Sequence, residues 1–145
     1  MRFHGEVRLP APRDDVFRFF SNARNLQRIT PPWLGFRIDA AAPIVMEAGT
    51  TIDYRLRLHG VPVRWQSEIT VWDPPHRFVD EQRRGPYRRW VHTHSFRADP
   101  NGTTVIDDVE YEVPFAPIVA WLVRRDIETI FAFRSAALRT IFPAV

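Results

Sequence analysis

The sequence predicts an α+β fold, a curved antiparallel sheet of about seven strands wrapped around one long C-terminal helix, with two short helices after the first strand. Three observations predict it. Apolar and polar residues alternate with period two in Arg2 to Leu9 and again in successive runs from Phe36 to Val113, and turn residues separate the runs. The stretch from Ile118 to Ile141 holds no proline or glycine, and its apolar residues follow helical spacing. Between the first strand and the rest, Pro12-Arg13-Asp14-Asp15 has the proline and acids of a first helical turn.

In order, Phe3, Gly5, Val7 and Leu9 alternate with Arg2, His4, Glu6 and Arg8, a first strand with one wet face. Pro10-Ala11-Pro12 stops it. Val16, Phe17, Phe19 and Phe20 then form the apolar side of a short helix that ends at Ser21-Asn22. A second short helix covers Ala23 to Ile29. Thr30-Pro31-Pro32-Trp33-Leu34-Gly35 breaks it, so the two helices make a V. Phe36, Ile38 and Ala40 mark a second strand, and Ile52, Tyr54, Leu56 and Leu58 a third. Gly60-Val61-Pro62 reads as a hairpin turn, followed by Val63, Trp65, Ser67, Ile69 and Val71 on one face of a fourth strand. Asp73-Pro74-Pro75-His76 turns the chain into a fifth strand, Arg77 to Arg84, with Phe78, Asp80 and Gln82 on one side. Trp90, His92, His94 and Phe96 share a face of the sixth strand. Beyond Asp99-Pro100-Asn101-Gly102, Val105, Asp107, Val109, Tyr111 and Val113 share a face of the seventh. Pro117 is tolerated in a first helical turn. Val119, Ile127, Ile130, Phe131, Arg134, Leu138 and Ile141 then lie along a helix more than twenty residues long, roughly 30 Å or more. Pro143 ends it. Only this helix is long enough to cover the apolar face of the sheet, so Val119, Ile127 and Ile130 are expected to be buried against it.

The chain has 145 residues, enough for one domain with a substantial core, and is read as a single domain over 1–145. The absence of cysteine excludes disulfides and thiolate metal sites. All twenty basic residues are arginine, scattered among seventeen acids, which reads as solvated faces and not as a nucleic-acid patch. No apolar run reaches a membrane span and no leader pattern is visible, so the expected location is cytoplasmic. Phosphate loops, dinucleotide fingerprints and Gly-x-Ser-x-Gly are missing, and no cofactor is expected.

Chemistry concentrates on the last hairpin. His92, His94 and Asp107 ride on faces otherwise made of Trp90, Phe96, Val105, Val109 and Tyr111. Buried polar groups must be hydrogen-bonded, paired or wet. The three are candidate catalytic residues, an imidazole acting as base with Asp107 orienting it, or a structural cluster that ties strands together. A carboxylate favours the charged imidazole and burial the neutral one, and the carboxylate is expected to prevail. Two histidines two residues apart with a carboxylate can also hold a metal, but that spacing is common in metal-free proteins and no metal is expected. Trp65, Trp90, Tyr54, Tyr111, Phe78 and Phe96 are candidates to line a cavity between sheet and helix, open near Pro31-Pro32-Trp33, with Asp80 and Gln82 facing the same space. Arg134, in phase with Ile127, Ile130 and Ile141, can anchor a ligand oxygen, pair with Asp80 or Asp107, or reach outward.

The run Leu9-Pro10-Ala11-Pro12-Arg13-Asp14-Asp15-Val16-Phe17-Arg18-Phe19-Phe20, with Asn25-Leu26 and Pro31-Pro32-Trp33 after it, resembles the opening of the START-like (SRPBCC) superfamily. Polyketide cyclases/dehydrases, lipid-transfer domains and birch-pollen-type allergens share its helix-grip fold. Phe78-Val79-Asp80-Glu81-Gln82, Gly85-Pro86-Tyr87, His92-Thr93-His94-Ser95-Phe96 and Asp107-Asp108-Val109-Glu110-Tyr111 resemble a bacterial ligand-binding branch of it. The resemblance covers essentially the whole chain. It implies a pocket for a small hydrophobic molecule and brings no catalytic residue set with it.

The expected function is binding, transport or sequestration of a small hydrophobic, ring-bearing or acyl ligand. A cyclase, dehydratase or isomerase using His92, His94 and Asp107 in the same pocket is the alternative from the enzyme class. A regulatory protein-interaction module is the third. Monomer and homodimer both remain open.

Overall fold

A computed structural model of the chain describes residues 1–114 and 117–144. The alternating runs become seven strands: β1 (Arg2–Leu9), β2 (Arg37–Ile38), β3 (Thr51–Leu58), β4 (Val61–Asp73), β5 (Arg77–Arg84), β6 (Arg89–Asp99) and β7 (Gly102–Glu112). They form one antiparallel sheet in the order β1-β7-β6-β5-β4-β3-β2. From β2 to β7 each strand pairs with the next in sequence, as successive hairpins dictate, and β1 closes on the far side of β7. The helices are α1 (Arg13–Phe20) and α2 (Pro117–Ile141).

Three local expectations are corrected. The Ala23–Ile29 segment is 3₁₀ and not α-helical, and a second 3₁₀ turn spans Pro32–Leu34 inside the expected break. Asn22 caps the first of these by accepting the Arg24 N–H at 3.1 Å. With Pro31-Pro32 beyond it, the segment has no room to extend into an α-helix. β2 is only two residues long. Asp39 N still bonds Asp53 O at 2.8 Å, but Ala41-Ala42-Pro43 leaves the sheet. The β3–β4 turn is His59-Gly60, with φ of 50° and 79°, so Val61 and Pro62 already belong to β4. Positive φ at both central residues gives a two-residue turn the twist that matches its strands, and glycine adopts it without strain.

The core lies on the inner face of the sheet. Val7, Leu9, Ile69, Phe78, Phe96 and Val105 pack with Val16, Phe17 and Phe20 of α1 and with Leu138 of α2. Farther along, Ile127 and Phe131 of α2 pack on Val109 and Tyr111. The buried residues of α2 are Ile127, Phe131, Arg134 and Leu138, a single stripe at helical spacing. Of the three residues expected to be buried, Ile127 is. Val119 and Ile130 are half-buried, Ile130 because it stands on a cavity.

Candidate functional site

The inward faces of β5, β6 and β7 bring Asp80, His92, His94 and Asp107 together, and α2 lays Arg134 over them. Side chains alternate along β6, so His92 and His94 both point inward from one strand, and their rings stack with centroids 3.6 Å apart. Phe78 stacks on the other face of His94 at 4.0 Å. His92 Nε2 bonds Asp107 Oδ1 at 2.7 Å, and His94 Nε2 bonds Asp80 Oδ2 at 2.5 Å. Arg134 Nη2 reaches Asp107 Oδ1 at 3.2 Å and His94 Nδ1 at 3.1 Å. A guanidinium only donates, so His94 Nδ1 accepts, and the proton of the neutral ring sits on Nε2, aimed at Asp80. The guanidinium also lies 5.1 Å from the Phe20 ring and 5.6 Å from Phe131. Arg134 therefore takes the pairing alternative, and its partner is Asp107.

All five groups are buried or nearly so, Asp80 being the most open with 17% of its side chain exposed. Burial is the largest influence on Asp107 and opposes its ionisation. Arg134 and the hydrogen bond from His92 outweigh it and hold the carboxyl well below the usual carboxylate range. Asp80 is likewise lowered against its burial, first through the hydrogen bond from His94. For His94 burial prevails: with the nearby His92 it pushes the imidazole down to about 4, against the pull of Asp80. The His94 ring is sealed between Phe78 and His92, which is why burial outweighs the neighbouring carboxylate there.

Asp80, His92, His94 and Arg134 of this cluster form one end of a cavity of about 170 Å³ between sheet, 3₁₀ segments and α2. Tyr54, Leu56, Trp65, Ile69, Phe78 and Trp90 line it from the sheet. Ile127, Ile130 and Phe131 line it from α2, and Phe20, Ile29 and Leu34 from the helical V. The ring wall is itself packed, with Trp65 stacked on Tyr54 at 5.7 Å and perpendicular to Trp90 at 5.4 Å. Trp65 Nε1 donates to Ser67 Oγ at 3.0 Å, and the Tyr54 hydroxyl lies 3.3 Å from the same oxygen. Burial, and after it Asp80, pushes the Tyr54 hydroxyl well above its ordinary range, so it stays protonated. A second cavity of about 290 Å³, lined in part by Trp33, shares Leu34, Leu58 and Ile130 with the first.

Among the residues singled out from the sequence, Trp65, Trp90, Tyr54, Phe78, Asp80, His92, His94 and Arg134 stand on the cavity wall. Four lie elsewhere. Asp107 sits behind His92 and Arg134. Gln82 clamps the backbone of Tyr87, donating to its carbonyl at 2.7 Å and accepting from its N–H at 3.1 Å. Phe96 packs against Phe17 and Phe20, and Tyr111 against Val109, Ile127 and Phe131. Tyr87 lines the cavity and escaped the sequence reading, because it belongs to a loop where strand alternation does not apply.

Asp80, His92 and His94 each offer a metal-ligating atom, all within 4.8 Å of one another. The hydrogen bonds present work against a metal. To ligate through Nε2, His94 would have to move its proton to Nδ1, where Arg134 already donates.

Residues 9–139 match the family described as polyketide cyclase / dehydrase and lipid transport, and the chain belongs to that family. Solved structures share its architecture. TTHA0849 from Thermus thermophilus is 24% identical over 97% of this chain and 92% of that one, with a TM-score of 0.64. CV1439 from Chromobacterium violaceum is 13% identical, covers 100% and 99%, and has a TM-score of 0.77. Ginseng major latex-like protein 151 from Panax ginseng is 10% identical, covers 99% and 98%, and has a TM-score of 0.72. At such identities the likeness concerns the fold, which is the helix-grip fold. A comparison with curated proteins found no match. No helix among the described residues is long and apolar enough to cross a membrane.

Proposed function

We propose that the chain binds a small hydrophobic, ring-bearing or acyl molecule between the sheet and α2. The observation that carries this is the cavity: about 170 Å³, walled by aromatic and aliphatic side chains, with a few converging polar groups at one end. Its volume is of the order of the ~150 Å³ apolar cavity that admits benzene. A packed core would not leave such a space among so many rings, since each void forfeits contacts its lining would otherwise make. The family's description, with its lipid transport, supports the same reading.

One observation favours a second reading, an acid–base enzyme of the cyclase, dehydratase or isomerase type. His92 is held by Asp107 from behind while its ring stands on the cavity wall, as a positioned general base is held. Turnover would then follow a histidine-dependent pH profile.

Native mass spectrometry of the purified protein tests the binding reading. The expected result is a retained small molecule that is lost on denaturation and lost in Leu56→Trp, which fills the cavity. A wild type that retains nothing and takes up no added ring compound contradicts it.

A further inference from the structure

The polar end of the cavity is unevenly balanced. Two carboxylates, Asp80 and Asp107, face one guanidinium. Arg134 commits Nη2 to Asp107 and to His94, and its Nε is sealed from solvent without a hydrogen-bond partner among the described residues. Its charge is therefore answered by Asp107, which is not on the cavity wall. Asp80 is on the wall and is the most open member of the cluster. Among the described residues its carboxylate accepts a single hydrogen bond, from His94, although a carboxylate can accept about four. His92 Nδ1 stands 3.9 Å from it, outside hydrogen-bond range.

An apolar molecule filling the cavity would cover this carboxylate and leave it short of donors, which is costly for a charged group. A carboxylate-bearing molecule would add like charge beside it in a low-dielectric space. A molecule with an O–H or N–H at one end of a ring meets both demands. The ring lies against Trp65, Trp90 and Tyr54, and the donor reaches Asp80.

We propose that the cavity selects ring compounds carrying a hydrogen-bond donor, of the phenol type, and rejects carboxylates despite the arginine in its wall. This rests on the binding reading above and adds the chemical class of ligand. Asp80 is the selecting residue, and Arg134 acts by holding Asp107 and His94 in place.

Three probes of one shape test it: 2-naphthol, naphthalene and 2-naphthoate, measured by equilibrium dialysis against the full chain at neutral pH. The expected order is naphthol tightest and naphthoate weakest. Naphthol should exceed naphthalene by about ten- to a hundredfold, the worth of a hydrogen bond to a charged acceptor. In Asp80→Asn, checked for folding by circular dichroism, naphthol should lose most of that advantage and naphthoate should gain. If Asp80→Asn does not fold, the wild-type order alone decides. Naphthoate binding first would overturn the proposal and assign selection to Arg134. Equal binding of naphthol and naphthalene would overturn it too, since Asp80 would then select nothing. Binding of none of the three would instead refute the cavity reading on which it rests.

Discussion

His94 lies directly opposite Asp107 in the β6–β7 ladder, yet its Nε2 bonds Asp80, 2.5 Å away on the other side. His92 does the reverse. It lies opposite Asp80 in the β5–β6 ladder and bonds Asp107. The crossing follows from side chains that lean along a twisted strand, and the stacked imidazoles lock it. Three strands are tied through one pair of rings, and Arg134 adds α2 to the tie. Four members of this staple, Asp80, His92, His94 and Arg134, also stand on the cavity wall.

Acid should loosen this arrangement in two stages. The unfolded chain takes up the His94 proton near 6.5, and the folded chain only at about 4. Stability is therefore full above the unfolded value and falls as pH drops between the two, by on the order of 3 kcal/mol. Asp80 and Asp107 are shifted below the ordinary carboxylate value, so their contribution is present above that value and is lost only as pH falls below it. Urea denaturation at pH 7, 5.5 and 4.5 reads the first stage. His94→Gln should remove it, and a wild-type curve flat from pH 7 to 4.5 would contradict the burial of a neutral His94.

Arg134→Met should cost about 3–5 kcal/mol, because it leaves the Asp107 charge buried without its cation. Adding Asp107→Leu should recover much of the loss, since an apolar pair can replace a buried ion pair at little cost. The double-mutant cycle, measured in urea, reads the coupling directly. Losses that simply add would place the two groups outside each other's influence.

The tautomer of His94 is open to nitrogen-15 NMR. The neutral ring should carry its proton on Nε2, with Nδ1 as the acceptor facing Arg134. A protonated Nδ1 would show that Arg134 points elsewhere.

Along α2, the buried stripe and the exposed face should separate cleanly. Phe131→Ala should cost about 3–5 kcal/mol, since its ring packs on Phe3 at 4.6 Å and walls the cavity. Trp121→Ala, on the exposed face, should stay within about 0.5 kcal/mol. Chemical denaturation of both variants checks the contrast, and equal losses would mean the helix sits in another rotation.

Period-two alternation was enough to place His92, His94 and Asp107 inward on neighbouring strands, and the successive turns gave the pairing from β2 to β7, but the place of β1 beside β7 was not legible. Helical spacing did the same for Ile127 and Phe131, but it left Arg134 open between inward and outward and counted the half-buried Val119 and Ile130 as buried. Both signals concern direction, which backbone geometry determines. What they do not carry is the choice among partners within reach. Register alone pairs His94 with Asp107, and only the lean and stacking of the rings send it to Asp80. Gln82 faces inward as alternation requires, but the Tyr87 backbone, brought close by a loop of no periodicity, takes both ends of its amide. Phe96 and Tyr111 share faces with cavity residues and lie beyond its ends, because where a void opens depends on how the 3₁₀ segments and α2 close over the sheet.

The most direct test of the account is a crystal structure of the chain soaked in 2-naphthol. Ring density is expected inside the cavity against Trp65 and Trp90, with the hydroxyl oxygen within hydrogen-bond distance of the Asp80 carboxylate. A cavity closed by its own side chains, or naphthol found only on the outer surface, would contradict it.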